Sequence, residues 1–135
     1  MVTIDLGDTN VLLDVVTNDS TWFEWSSLQL EVSALNQTVA INDVIYAELS
    51  VRFDSIERLE SFLSGVGITM RTIPRPALFL AGKVFERYRL AGGLRYGVLP
   101  DFFIGAHAAV SELILLTRDA QRYRSYFPTV ELVTP

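Results

Sequence analysis

The stretch Ile4-Asp5-Leu6-Gly7-Asp8-Thr9-Asn10-Val11-Leu12-Leu13 decides how this chain folds. Val2, Ile4 and Leu6 alternate onto one face of a short strand that Gly7 ends. Asp8-Thr9-Asn10 supplies turn and helix-cap chemistry, and Val11, Leu12, Leu13, Val15 and Val16 follow as a buried run. A strand that passes directly into a helix opens an α/β unit, and an acid, Asp8, stands at the junction.

The same alternation continues outward. Ser20 is expected to cap a helix through about Asn36, with Trp22, Phe23, Trp25, Leu28, Leu30 and Leu35 at roughly helical spacing, and Thr38 to Ile41 reads as the next strand. Asn42 or Asp43 can cap a helix holding Val44, Ile45, Ala47, Glu48 and Leu49. Ser55 can cap another, with Ile56, Leu59, Phe62 and Leu63 on one face and Gly65 and Gly67 as its stop. Ile68 to Ile73 fits a strand, and Pro74 and Pro76 separate it from a helix between about Ala77 and Leu90, which Ala91-Gly92-Gly93 breaks. A loop from Leu94 to Leu99 carries Arg95 and Tyr96, and Pro100 opens a helix with Asp101 in its first turn. Leu113 to Thr117 is an apolar strand, followed by Arg118-Asp119, a short basic and aromatic helix, and a last strand from Val130 to Val133. Strands alternating with helices predict an α/β domain with a mostly parallel sheet. Without repeats, low-complexity segments or a linker, residues 1–135 read as a single domain.

Composition narrows the function classes. The chain has 135 residues, half of them hydrophobic, and no cysteine, which excludes a disulfide framework, a Cys-ligated zinc site and a thiol nucleophile. A reducing compartment, the cytoplasm, is expected. The opening Met1-Val2-Thr3-Ile4-Asp5 carries no basic segment, and the apolar-leaning, charge-free run Phe102 to Ser111 is only ten residues, so neither a signal peptide nor a membrane span is expected. The net charge of −5 conceals an asymmetry: residues 1–60 hold eleven acids and two bases, residues 61–135 five acids and nine bases. A basic surface can therefore exist on an acidic protein. The apolar surplus leaves room for a protein partner or self-association.

Ligands of open parallel sheets bind beyond the carboxyl ends of the strands. Asp8 follows the first strand, Asp119 follows the strand Leu113 to Thr117, Asp101 opens the helix leading into that strand, and Glu48 lies on the polar side of the helix after the second strand. Several carboxylates converging in a cleft raise one another's pKa unless a cation neutralises them. Hard oxygen donors without a His or Cys cluster favour Mg2+ or Mn2+, ions suited to phosphodiester hydrolysis. Taken singly, each acid also reads otherwise: Asp8 and Asp101 as helix caps, Glu48 as a solvated side chain, Asp119 as a turn residue.

The local sequences around these acids add a resemblance. Asp8-Thr9-Asn10-Val11-Leu12-Leu13-Asp14, Val44-Ile45-Tyr46-Ala47-Glu48-Leu49, Leu99-Pro100-Asp101-Phe102-Phe103-Ile104-Gly105-Ala106-His107-Ala108 and Leu115-Leu116-Thr117-Arg118-Asp119 together resemble a PIN domain, and more narrowly a VapC-type ribonuclease toxin of a type II toxin-antitoxin pair. The resemblance spans nearly the whole chain. It implies a PIN-like three-layer sandwich with a five-stranded parallel sheet between helices, and Mg2+- or Mn2+-dependent endoribonuclease activity. Asp8 and Asp101 would be the principal metal ligands, Glu48 would complete the cluster and help orient or deprotonate a water, and Asp119 would add a direct or water-mediated contact. A cognate antitoxin and a homodimer are likewise implied. One departure stands out: Leu6-Gly7 precedes Asp8 where most family members run an aliphatic residue directly into the aspartate, and Asp5 lies three residues upstream. Only Asp8 is followed by Thr9-Asn10.

Thr9, Asn10 and Thr117 can orient the carboxylates by hydrogen bonding, or simply cap and terminate elements. Arg95, Arg118, Arg122 and Arg124, with Tyr123, Tyr126, Arg87 and Arg89, are candidates for RNA contact, with a solvated face or an antitoxin contact as the alternatives. His107, the one histidine, is expected to be structural rather than a general base, and Trp22, Phe23 and Trp25 to serve the core or a partner interface. Two other functions compete. A phosphoacceptor receiver domain needs a lysine after the last strand, yet the one lysine, Lys83, falls inside a helix. A catalytically silent PIN-fold binding or scaffold protein would keep the fold without the metal.

Overall fold

The computed structural model describes residues 4–36, 38–94 and 96–135, so Val2 of the expected first strand and Arg95 of the expected RNA-contact group lie outside the described residues. Five strands form one sheet in the order β3-β2-β1-β4-β5: β1 (Ile4–Gly7), β2 (Thr38–Ile41), β3 (Ile68–Met70), β4 (Ile114–Leu116) and β5 (Leu132–Val133). Every pairing is parallel, with Leu6 opposite Ala40 on one side and Leu115 on the other. The inner strands β1 and β4 are covered on both faces, and Leu6 of β1 and Leu115 and Leu116 of β4 are fully enclosed.

Among the described residues, seven helices flank this sheet: α1 (Thr9–Val16), α2 (Phe23–Asn36), α3 (Asp43–Ser50), α4 (Ile56–Val66), α5 (Arg75–Leu90), α6 (Leu99–Ser111) and α7 (Ala120–Tyr126), with one 3-10 turn at Tyr96–Val98. Their ends follow local chemistry. Asn42 caps α3 by accepting from the Ile45 N–H at 3.0 Å, and Ser55 caps α4 by accepting from Arg58 N–H at 3.2 Å. Gly67 closes α4 in the left-handed region at φ 83°, where a side chain would be strained.

Several boundaries differ from the sequence reading. Ser20 does not open α2; Asp19 does, its Oδ1 accepting from the Thr21 and Trp22 N–H groups at 2.9 and 2.8 Å, so the helix starts at Phe23. A carboxylate turned back on the chain outcompeted the hydroxyl that followed it. Gly65 sits inside α4 rather than stopping it, whereas Gly7, paired with Leu116, ends β1 as expected. The Leu6-Gly7 departure has a packing reason: a β-carbon at Gly7 would lie 3.3 Å from Leu12 Cδ1, the side chain with which α1 covers β1. The last three strands are shorter than their apolar runs: Ile73 and Leu113 are buried but outside β3 and β4, and β5 is only Leu132–Val133.

Candidate functional site

The chain runs from β1 outward through β2 to β3, then returns to place β4 on the other side of β1. The connections leaving β1 and β4 therefore diverge, and the crevice between them is where a parallel sheet presents ligand-binding groups. Asp8 leaves β1 into this crevice, and its N–H remains tied to the sheet by a 2.9 Å bond to the Leu116 carbonyl.

Asp8 is 3 % exposed. Its Oδ1 accepts from the Thr9 N–H at 2.8 Å, and its Oδ2 from the Thr117 hydroxyl at 2.7 Å, the Tyr123 hydroxyl at 3.1 Å and Asn10 Nδ2 at 3.3 Å. All four donors are neutral. Burial pushes the carboxyl up to about 6; the Thr117, Thr9 and Tyr123 bonds pull against that shift, and the Asp101 charge adds to it.

Asp101 lies in the first turn of α6, where the helix dipole favours an acid. Burial raises its pKa, Arg122 lowers it, and the charges of Asp119 and Glu48 raise it again. Asp101 thus feels Asp8, Glu48 and Asp119, and the four acids singled out in the sequence share one electrostatic neighbourhood. Glu48 reaches it from α3, its Oε1 accepting from the Thr9 hydroxyl at 2.6 Å. Asp119 follows β4, its N–H donating to Thr117 Oγ1 at 3.0 Å.

Thr9, Asn10 and Thr117 form a connected set around these carboxylates. Thr9 joins Asp8 to Glu48, Thr117 joins Asp8 to Asp119, and Asn10 Oδ1 accepts from the Arg118 N–H at 3.2 Å. Capping and orientation are one act here: the Thr9 N–H that Asp8 caps belongs to the residue whose hydroxyl holds Glu48.

The arginines named as RNA contacts are placed differently from one another. Arg118 grips Asp14 with a two-bonded fork, Nε to Oδ2 at 2.7 Å and Nη2 to Oδ1 at 3.0 Å, and its guanidinium lies 5.1 Å from the Trp22 ring centre. It is a clamp between α1, the start of α2 and the end of β4, not an outward-facing phosphate contact. Arg122 turns inward, donating from Nη1 to Asp101 Oδ2, with Asp119 Oδ2 3.6 Å from the same nitrogen. Arg124 is exposed. Tyr126 packs against Phe102 and Tyr88, with ring centres 5.2 and 5.9 Å apart, so its ring is already occupied by neighbours in the protein. Arg87 and Arg89 lie in the last turn of α5.

Two residues central to this region had no role of this kind in the sequence reading. Tyr123 is fully buried, and burial beside Asp8 and Asp101 raises its pKa well above the usual phenol value, so it stays a neutral donor. Asp14 is buried between Arg118 and the Ser26 hydroxyl, which donates to Oδ2 at 2.6 Å. His107 is not among the groups that act on Asp8 or Asp101. Asn42 Nδ2 donates to its Nδ1 at 3.1 Å, since Asn42 Oδ1 is taken by Ile45, and this bond leaves the ring proton on Nε2. Burial and the Arg71 charge lower its pKa, with Asp43 pulling the other way.

Among the described residues, no three acidic or imidazole side chains close around a point that could hold a metal ion as they stand. The acids hold hard oxygen donors suited to Mg2+ or Mn2+, but one oxygen of Asp101 is engaged by Arg122. A helix long and apolar enough to cross a membrane is likewise absent among the described residues.

No protein-family model matches the chain, and no curated protein matches it in sequence. Solved structures do share its fold. A chain of VapBC2 from Rickettsia felis, bound to a DNA fragment from its promoter, superposes with a TM-score of 0.75 at 21% identity, over 98% of this chain and 99% of that one. A toxin-antitoxin complex from Klebsiella pneumoniae gives 0.68 at 24% identity, with 97% of each chain covered. FitAcB from Neisseria gonorrhoeae gives 0.66 at 19% identity, again with 97% of each covered. These chains and this one share a fold over nearly their full lengths.

Proposed function

We propose that this protein is a divalent-metal-dependent endoribonuclease, the toxin of a toxin-antitoxin pair, with Asp8, Glu48, Asp101 and Asp119 as the residues that hold Mg2+ or Mn2+. The observation that carries the reading is Asp8: a buried carboxylate at the divergence of β1 and β4, surrounded by neutral donors and raised to about 6 by burial and by Asp101. A chain has no structural need for such a charge, and a cation supplied from solution relieves it. When bound, the metal would polarise a phosphoryl oxygen and acidify a water. The chain's own groups fix the acids: Thr9 orients Asp8 and Glu48, Thr117 and Tyr123 hold Asp8 Oδ2, and Arg124 is exposed on the same short helix, where a polyanion can be met.

The likeness to toxin-antitoxin complexes supports an antitoxin as protein partner, and exposed apolar side chains such as Val51, Ile56, Phe79 and Leu90 offer area for it and for a second copy of the chain. The competing reading, a catalytically silent binding protein of the same fold, draws on Arg122 occupying Asp101. The two are separated by incubating purified protein with total cellular RNA, with and without Mg2+ or Mn2+, beside Asp101→Asn. Metal-dependent cutting that Asp101→Asn abolishes supports the nuclease; metal binding without cutting of any RNA supports the silent protein.

A further inference from the structure

Helix α7 delivers two successive side chains to two different acids: Tyr123 donates to Asp8 Oδ2, and Arg122 donates to Asp101 Oδ2 with Asp119 Oδ2 3.6 Å away. The guanidinium is the positive group placed between Asp101 and Asp119, and both it and the Asp101 carboxylate are about one-quarter exposed. It neutralises the same oxygens that a divalent cation would use. Resting on the metal-site reading above, we infer that Arg122 is a resident counter-cation that regulates this site: it holds Asp101 and Asp119 together in the metal-free protein, and must leave Asp101 when the metal enters.

Three features of the chain support displacement over permanent pairing. Arg122 hangs from a helix of seven residues, whereas Asp101 sits on the thirteen-residue α6 that is buried against α5, so the arginine is the mobile partner. Its pairing is single-nitrogen, unlike the two-bonded grip of Arg118 on the buried Asp14. Solvent also reaches the Arg122 pair more than it reaches Asp14, which lowers the cost of separating the charges. The apparent metal affinity is then the intrinsic affinity reduced by the fraction of molecules whose Arg122 has left Asp101. Once displaced, the guanidinium is a free planar donor beside the place where a phosphodiester would lie.

The test is Mn2+ binding, read from the resonance of the free aquo ion, for the full chain and for Arg122→Gln, Arg122→Lys and Asp101→Asn, together with thermal midpoints in chelator. The expected result is that Arg122→Gln binds Mn2+ about tenfold more tightly than the parent while melting at a lower temperature in chelator. Arg122→Lys, which keeps the charge but not the planar fork, falls between the two and preserves the test if the glutamine variant does not fold. A part played only in packing would lower the midpoint and weaken or leave unchanged the Mn2+ affinity, and that result overturns the inference while leaving the metal site standing. If the parent binds no Mn2+, or if Asp101→Asn binds as well as the parent, the metal-site reading falls and this inference falls with it.

Discussion

Asp8 and Asp14 belong to the same short helix, one capping α1 and the other within it, and each is 3 % exposed. Their surroundings are opposite. Asp14 faces a guanidinium that bonds both its oxygens, plus the Ser26 hydroxyl, and the cluster ties α1 to the start of α2 and the end of β4. Among the described residues, Asp8 bonds to four neutral donors and pairs with no cation, and burial lifts its pKa to about 6. A buried charge answered by another charge is part of the framework; a buried charge answered only by dipoles is a candidate functional group.

The largest expected effect breaks the Asp8 side of this contrast. Asp8→Asn and Asp101→Asn should each lower RNA cleavage by about 100- to 1000-fold, with unchanged circular dichroism, in initial rates at saturating Mn2+. Parental rates in either variant would sink the assignment. On the other side, Asp14→Ala leaves Arg118 without its partner and should destabilise the fold by about 3 kcal/mol in urea titrations. Arg118→Ala should do nearly the same, and the double variant should lose much less than the two together.

A third prediction reverses the usual direction of a polar-site mutation. The folded Asp8 pKa of about 6 lies above its ordinary 3.8, so folding favours the protonated acid: stability rises as pH falls through 6 and the gain is complete below 3.8. Above pH 6 the ionised carboxylate therefore weighs against the fold. In chelator at pH 8, Asp8→Asn should be more stable than the parent by about 1 to 2 kcal/mol, less than the full linkage value because the amide turns a donor toward hydroxyls. The difference should vanish near pH 4, and urea midpoints at both pH values check it. His107 has the opposite sign. Its folded pKa is depressed below 6.5, so its contribution is intact above 6.5 and is lost as pH falls through the folded value; below it His107→Gln should gain stability relative to the parent, as paired urea midpoints would show.

The fold was legible wherever a rule acts over a few residues. Alternation in Ile4 to Leu6, the caps at Asn42 and Ser55, and the stop at Gly67 are local, and the structure places elements there. Asp19 displaced Ser20 as a cap because both are good cap residues and only the backbone path decides between them. The positions of Asp8, Asp101 and Asp119 followed from their places beside strands and helix starts. The fate of the basic, aromatic segment did not. Arg118, Arg122, Tyr123 and Tyr126 share one composition, yet one clamps Asp14, one meets Asp101, one caps Asp8 from 115 residues away and one packs on Phe102. Composition shows what such side chains can bind; only the sheet order, which brings β4 beside β1, shows what they do bind.

That order has a consequence in time. The Thr117 hydroxyl that holds Asp8 is 109 residues downstream of it, and the Tyr123 hydroxyl is farther still. On a nascent chain, Asp8, Thr9 and Glu48 are made early, but β1 lacks its β4 neighbour and Asp8 lacks half its donors until residues 114–123 have been synthesised. At about 5 to 20 residues per second the interval is several seconds, during which the centre of the sheet is an open edge. Asp8 therefore acquires its full set of donors only after residues 114–123 have emerged and β4 has docked beside β1.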